Sequence, residues 1–279
     1  MVAQFLDEEQ PDVIALQETK CSDAQFPASL FDEREFEWVH HGRGARNGVA
    51  LASRHGLAEV RSGFSGEAQP PFDECRLVAA TIDGVRVLAL YAPNGAKRKS
   101  HDWQVKLAWF ELLHSELTYE LDDHDDVLVI GDFNVCPTPD DLYDPAKRNR
   151  NLVSDEERAA VARIRELGLV DVAAAMHGAD AGYTWYAYRK GQFENDRGYR
   201  LDHALATPGL ASRITLCEPL RKWRDPSIRP SDHAPLLVEF AASENLMGRE
   251  SHKFVRSPAV LQGSSLQVLR PSRSCVPCS

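Results

Sequence analysis

Residues 127–134 read Val-Leu-Val-Ile-Gly-Asp-Phe-Asn. Val127 to Ile130 offer no polar side chain, so the run predicts a strand buried on both faces and ended by Gly131. If the backbone stays extended beyond it, Asp132 and Asn134 lie two residues apart and point to the same side. An acid and an amide at the mouth of a buried strand sit where α/β folds place their chemistry.

Similar segments lie on either side. Val13-Ile14-Ala15-Leu16 is a short apolar run with Gln17-Glu18-Thr19-Lys20 at its end, and Gly48 to Ala52 is another such run. Leu77 to Ile82 and Val85 to Tyr91 flank Asp83-Gly84, which predicts a hairpin with a tight turn. Arg200 to Ala206 and Leu236 to Phe240 complete the strand candidates. Residues 2–9 read as the end of a helix stopped at Pro11-Asp12. Trp103, Leu107, Phe110 and Leu113 recur at helical spacing. Ser154 and Glu157 form a capping box that opens a helix running to Leu167. Hairpins mixed with helix-separated strands predict mixed sheets in an α/β fold.

The chain has 279 residues, 43% hydrophobic and 27% charged, with a net charge of −10. It holds no apolar run long enough to span a membrane and no signal-peptide pattern, so a cytoplasmic location is expected. Six scattered cysteines do not make a disulfide framework. The acidic balance argues against a general phosphate-binding surface. Basic clusters at 97–99, 147–150 and 221–224, and the charge inversion that bound cations bring to an acidic site, argue the other way. Residues 241–279 are rich in Ser, Arg and Pro and are expected to form a low-complexity, disordered tail outside a domain spanning 1–240. Within that tail, Cys275 and Cys278 are too few for a zinc site.

Four polar segments sit at the edges of apolar runs: Glu18 after the first, Asp132 and Asn134, Asp202 with His203, and Asp232 with His233. Singly, each has an ordinary structural reading as a solvated strand end, a turn or a cap. Together they form an oxygen-rich set suited to Mg²⁺, with Mn²⁺ as an alternative. Phosphate esters are the natural substrates of such a set.

The ordered segments LQETK, YAPNG, GDFNV, RLDHALAT and SDHAP resemble the signature of the exonuclease III / apurinic endonuclease family, within the endonuclease–exonuclease–phosphatase group. The resemblance runs from about Val2 to Phe240. It implies a four-layer α/β/β/α sandwich like that of DNase I, with two mixed sheets between helices. It implies Glu18 and Asp232 as metal ligands, Lys20 steadying them, and Asp132, Asn134, His233, Tyr91 and Asp202 as the catalytic set. Asn94 would bind phosphate. Trp185, Tyr199 and Leu201 would line a pocket for a base-less sugar. Arg76, Lys106 and Arg197 would contact phosphates. The expected partner is double-stranded DNA with abasic sites or 3′ ends, and the expected state a monomer.

The family opens on a strand with an Asn-containing motif. Here the chain starts in what reads as the following helix, so that strand is expected to be missing and its sheet to expose an edge. Two alternatives to a repair nuclease follow: a truncated remnant that grips DNA without cutting it efficiently, and a phosphodiesterase of the same group acting on another phosphate ester.

Overall fold

The computed structural model describes residues 1–44, 46–66, 74–147, 150–225, 227, 231–241 and 265–271. Its strands are β1 (Val13–Gln17), β2 (Glu37–His41), β3 (Val49–Ser53), β4 (Ala58–Ser62), β5 (Leu77–Ile82) and β6 (Val85–Tyr91). They continue with β7 (Val127–Asp132), β8 (Val170–Asp171), β9 (Asp202–Ala206), β10 (Ile214–Pro219), β11 (Leu236–Phe240) and β12 (Ser265–Pro271). The helices are α1 (Val2–Glu9), α2 (Ser29–Asp32), α3 (His101–Asp123), α4 (Asp155–Glu166), α5 (Val172–His177) and α6 (Pro208–Ala211).

Among the described residues the strands form two six-stranded sheets, ordered β10-β11-β12-β1-β3-β2 and β4-β5-β6-β7-β9-β8. Both mix parallel and antiparallel pairs, as expected. Strand alternation explains the layers. Val13, Ala15, Val49 and Leu51 on one sheet face Val87, Ala89, Leu128 and Ile130 on the other in one central core. The intervening residues point outward. Val127 and Val129 pack under Trp109, Phe110 and Leu113 of α3, and Ile14 and Leu16 under Phe5 and Leu6 of α1. The four-layer sandwich predicted from the sequence is therefore the fold observed.

Local chemistry fixes the elements that reach the site. Asp83 and Gly84 both have positive φ (48° and 81°), the condition for the tightest hairpin turn. Ser100 caps α3 by accepting from the Trp103 N–H, and Ser154 with Glu157 caps α4 reciprocally. Gly131 has a φ of 145°, and a Cβ there would lie 1.9 Å from the Leu90 carbonyl oxygen. Only glycine lets β7 lie this close to β6 one residue before Asp132.

The expectation of a tail wholly outside the core is corrected for seven residues. Ser265–Pro271 form β12, antiparallel to β1 (Ala15 opposite Gln267) and parallel to β11 (Leu236 opposite Gln267). The exposed edge expected beside β1 is thus covered, and each ladder partner of β12 gains main-chain hydrogen bonds. The remaining tail residues, with Cys275 and Cys278, lie outside the described residues. Strands β2, β4 and β10 were not expected either. Their side chains are largely exposed or mixed in burial, and they carry no apolar run to reveal them.

A backbone shared between two ladders exchanges slowly. In hydrogen-exchange mass spectrometry of the full chain, residues 265–271 are expected to be protected as strongly as β11. Exchange of that peptide at the rate of free chain would remove β12 from the sheet.

Candidate active site

Tyr91, Asp132 and Asp202 stand abreast at the ends of three neighbouring strands. Tyr91 pairs with Asp132 across β6 and β7, and Asp132 pairs with Asp202 across β7 and β9. Each continues the alternation that aims Ala89, Ile130 and Ala204 into the space between the sheets. The chemistry thus sits at one open end of the central core.

The other sheet supplies the partners. Glu18 follows β1 with a φ of 54°, outside the range that most side chains favour, and Lys20 repeats this at 51°. Held strain of this kind is frequent at functional positions. The Tyr91 hydroxyl donates to Glu18 Oε1, and Lys20 Nζ lies 2.7 Å from Glu18 Oε2. His233, just before β11, donates from Nδ1 to Asp202 Oδ2 at 2.7 Å. Its Nε2 lies 3.8 Å from Asp132 Oδ2. The Trp185 indole donates to Asp232 Oδ2 at 2.9 Å.

Three asparagines continue the row away from His233. Asn134 has a φ of 51°; its N–H bonds back to Asp132 Oδ1 at 2.8 Å, and its side-chain amide donates to Asp132 Oδ2 at 3.1 Å. Asn94 donates to Asn134 Oδ1 at 3.0 Å, and Asn151 donates to Asn94 Oδ1 at 3.0 Å.

The electrostatics separate the roles available to the two central groups. Burial pushes the Asp132 carboxyl up, the Asp202 and Glu18 charges add to this, and His233 with the Asn134 N–H opposes it; the result is about 7. Burial alone would lower His233, but the Asp202 charge and hydrogen bond, with Asp132 and Asp232, push it up to about 10. Near neutral pH His233 is therefore a charged donor, while Asp132 is balanced between acid and base. Burial first, then the charges of Glu18 and Asp132, also raises the Tyr91 hydroxyl, so it remains a neutral donor.

The two aromatics expected for the pocket, Trp185 and Tyr199, meet with ring centroids 5.4 Å apart. They pack on buried Leu201, beside Leu142, Val153 and Cys136. Arg76 lies over the Tyr91 ring at 4.9 Å, donates to the Tyr91 carbonyl at 3.2 Å and pairs with Glu74, so it braces Tyr91. Arg197 is exposed on the loop before Tyr199. Lys106 requires a correction. Its side chain is fully buried and ion-paired with Glu157, out of reach of a phosphate in this structure.

Sequence reasoning missed Asn151, Glu157 and the support of Asp202. Arg200 is buried, bidentate to Asp171 at 2.9 Å and bonded to Asp141 at 2.6 Å. The Thr184 hydroxyl accepts from the Leu201 and Asp202 N–H groups, each at 3.0 Å. Arg200 stands at the head of a strand candidate and Glu157 in a capping box, but neither position reveals its buried partners, which a guanidinium in a core must have. Removing one partner of such a pair costs about 3–5 kcal/mol.

Among the described residues no group of three or more His, Cys, Asp or Glu side chains is arranged to hold a metal ion. The donors fit a different kind of metal site. Mg²⁺ keeps most of its waters and takes one or two carboxylates plus substrate phosphate. Glu18 and Asp232, both part-exposed beside a surplus of buried carboxylates, match that requirement.

The arrangement gathers carboxylates, a charged imidazole and amides at one open end of the core, groups of the kind that hydrolysis of a phosphate ester can use. Residues 1–233 match the model of the Endonuclease/Exonuclease/phosphatase family. The chain belongs to that family, one of metal-dependent nucleases, and to its branch of exodeoxyribonucleases III and AP endonucleases. It is 30% identical over 253 residues to "Exodeoxyribonuclease III" of Haemophilus influenzae, covering 85% of this chain and 92% of that one. A 3′ phosphatase from Neisseria, bound to a product DNA hairpin, superposes with a TM-score of 0.80 at 34% identity, covering 84% and 90% of the two chains. An AP endonuclease from Archaeoglobus fulgidus gives 0.78 at 37% identity, with the same coverage. No helix among the described residues is long and apolar enough to cross a membrane.

A cation beside Asp132 favours its ionised form. In the metal-free protein the Asp132 carboxyl ¹³C resonance is expected to titrate near 7, and to move to lower pH when Mg²⁺ is added. A midpoint in the ordinary carboxylate range without metal would contradict this electrostatic reading.

Proposed function

We propose that the chain is a Mg²⁺-dependent repair enzyme that hydrolyses the backbone of double-stranded DNA 5′ to abasic sites and trims damaged 3′ ends. The observation that carries this reading is the row Tyr91, Asp132 and Asp202 facing Glu18 and His233 across the open end of the core. It is supported by the apolar recess of Trp185, Tyr199 and Leu201 beside that row, of the right character for a flipped sugar without a base.

The residues divide the reaction by their protonation. Asp132 takes a proton from the attacking water, because its affinity lies near the working pH. Asn134 fixes the Asp132 carboxylate and holds the water or a phosphate oxygen. His233 enters charged and donates from Nε2 to a phosphoryl oxygen, while Asp202 holds Nδ1 and the ring plane. Asn94 contacts the phosphate, and Tyr91 donates near the leaving side. Glu18 and Asp232 would hold Mg²⁺, steadied by Lys20; when bound, it neutralises charge on the phosphate and the departing 3′ oxygen. Trp185 ties the recess to the metal side by its bond to Asp232. The products are a 3′-hydroxyl and a 5′-phosphate.

The test is a labelled duplex carrying one abasic site, with a 3′-phosphate duplex beside it. Incision 5′ to the lesion in Mg²⁺ is expected, with none in EDTA. Asp132→Asn is expected to lower kcat by at least about a hundredfold without loss of DNA binding. Undiminished cutting in EDTA, or by the Asp132→Asn enzyme, would overturn the reading. A chain that binds the duplex and cuts neither substrate would be a binding remnant.

A further inference from the structure

Lys106 and Glu157 lie directly beneath the asparagine row. The Lys106 ammonium has three protons to donate and three acceptors around it. It bonds the Asn134 carbonyl at 2.7 Å, Glu157 Oε1 at 2.5 Å and the Asn94 carbonyl at 3.3 Å. Glu157 commits both oxygens as well. Oε1 accepts from the Leu152 N–H at 3.1 Å, and Oε2 from the Ser154 N–H at 3.1 Å and its hydroxyl at 2.7 Å. Both side chains are fully buried. Burial pulls the Lys106 ammonium affinity down, and Glu157 opposes it.

The pair therefore grips the main chain of three separate segments: those of Asn94, of Asn134, and of Leu152 next to Asn151. On the upper side the side chains of Asn151, Asn94 and Asn134 donate in sequence, and the last donation reaches Asp132. Gly95 shows how closely the layers meet. A Cβ there would lie 2.9 Å from the Lys106 stem and 3.2 Å from Asn151 Oδ1. A capping box needs no buried lysine. A buried ion pair is also weak as a source of stability, because desolvation offsets most of its attraction. What this pair adds is a fixed spacing between three loops that share no secondary structure.

We propose that Lys106 and Glu157 are positioning residues that hold Asn151, Asn94 and Asn134 as one hydrogen-bonded chain ending on Asp132, and that Asn151 is the outermost member of that chain. The proposal rests on the hydrolase reading of the site. Neither Lys106 nor Glu157 touches substrate. They act on the reaction through the orientation of amides that face the phosphate and of the carboxylate that faces the water. Displacement of reacting groups by about 1 Å can cost on the order of a hundredfold in rate.

The experiment is a kinetic cycle on the full chain with the nicked 3′-phosphate duplex. Lys106→Met and Glu157→Gln are introduced together, so that no lone charge is left buried. Asn151→Ala is made in the wild-type and in the neutral-pair background. The neutral pair is expected to lower kcat by roughly 10- to 100-fold, with KM within about threefold and little change in Tm. Asn151→Ala is expected to lower kcat about tenfold alone and to have almost no further effect in the neutral-pair background, because both act through one chain. A folded neutral-pair enzyme with kcat within twofold of wild type, or effects that multiply independently, overturns the proposal.

Should the double variant not fold, Glu157→Gln alone is put through the same cycle with the same kinetic expectations, and with a lower Tm because Lys106 loses its buried counter-charge. The side-chain ¹⁵N amide resonances of Asn94 and Asn134 give a readout that does not depend on turnover. They are expected to shift and lose exchange protection in the variant, while Asn195 does not move. Unchanged Asn94 and Asn134 resonances overturn the proposal even if the wild-type enzyme proves inactive, and an inactive wild type by itself counts against the hydrolase reading alone.

Discussion

The 2.7 Å hydrogen bond from His233 to Asp202 joins the two halves of the molecule at the point where they do chemistry. Asp202 belongs to one sheet, and His233 leads into the other. With the Tyr91–Glu18 bond beside it, this link closes the open end of an otherwise apolar sandwich. A part-buried imidazole between Asp202 and Asp132 keeps its proton, and its charge in turn limits how far Asp132 is pushed up. Geometry and protonation are thus one property here: moving either sheet would change which group can give a proton and which can accept one. The asparagine row, the Arg200 ion pairs and the Thr184 hydroxyl brace the side of this seam that carries Asp132 and Asp202.

Much of the fold could be read from residues whose burial is complete. β1, β3, β7, the β5–β6 hairpin and α4 each announce themselves by apolar runs, a turn dipeptide or a capping box. The edge strands β2 and β4 could not be read, because a half-exposed strand needs no apolar pattern. β12 was hidden for another reason. Pairing along a ladder depends on available main-chain partners, and a short segment within a Ser-, Arg- and Pro-rich stretch can supply them without a long apolar run.

The site was legible to the same degree. Glu18, Asp132, Asn134, Asp202 and His233 could be picked out because a polar residue ending an apolar run is conspicuous. Lys106 was picked out for its charge and assigned the wrong surroundings. A helix with a broad apolar face can carry a lysine inward when a carboxylate waits there, and the pairing with Glu157 lies 51 residues away in the chain. Asn151 gave no signal at all, since its role depends wholly on contacts between loops.

Many of the basic side chains that could draw a polyanion are already committed. Arg98 pairs with Glu156, Lys222 with Glu9 and Arg221 with Asp196, while Arg224 is buried over the Tyr188 ring. Attraction for a polyanion then rests on a few exposed cations, among them Lys97, Lys99 and Arg197 on the loops that carry Asn94 and Tyr199, and on the cation that Glu18 and Asp232 would hold. A decisive observation would be an anomalous-difference map from crystals soaked in Mn²⁺ with a product duplex. A single peak beside the Glu18 and Asp232 carboxylates, with the terminal phosphate within hydrogen-bond reach of His233 and Asn134, is what a shared seam requires. A metal peak remote from Glu18, or a phosphate bound away from His233 and Asp132, would show that these side chains meet for structural reasons alone.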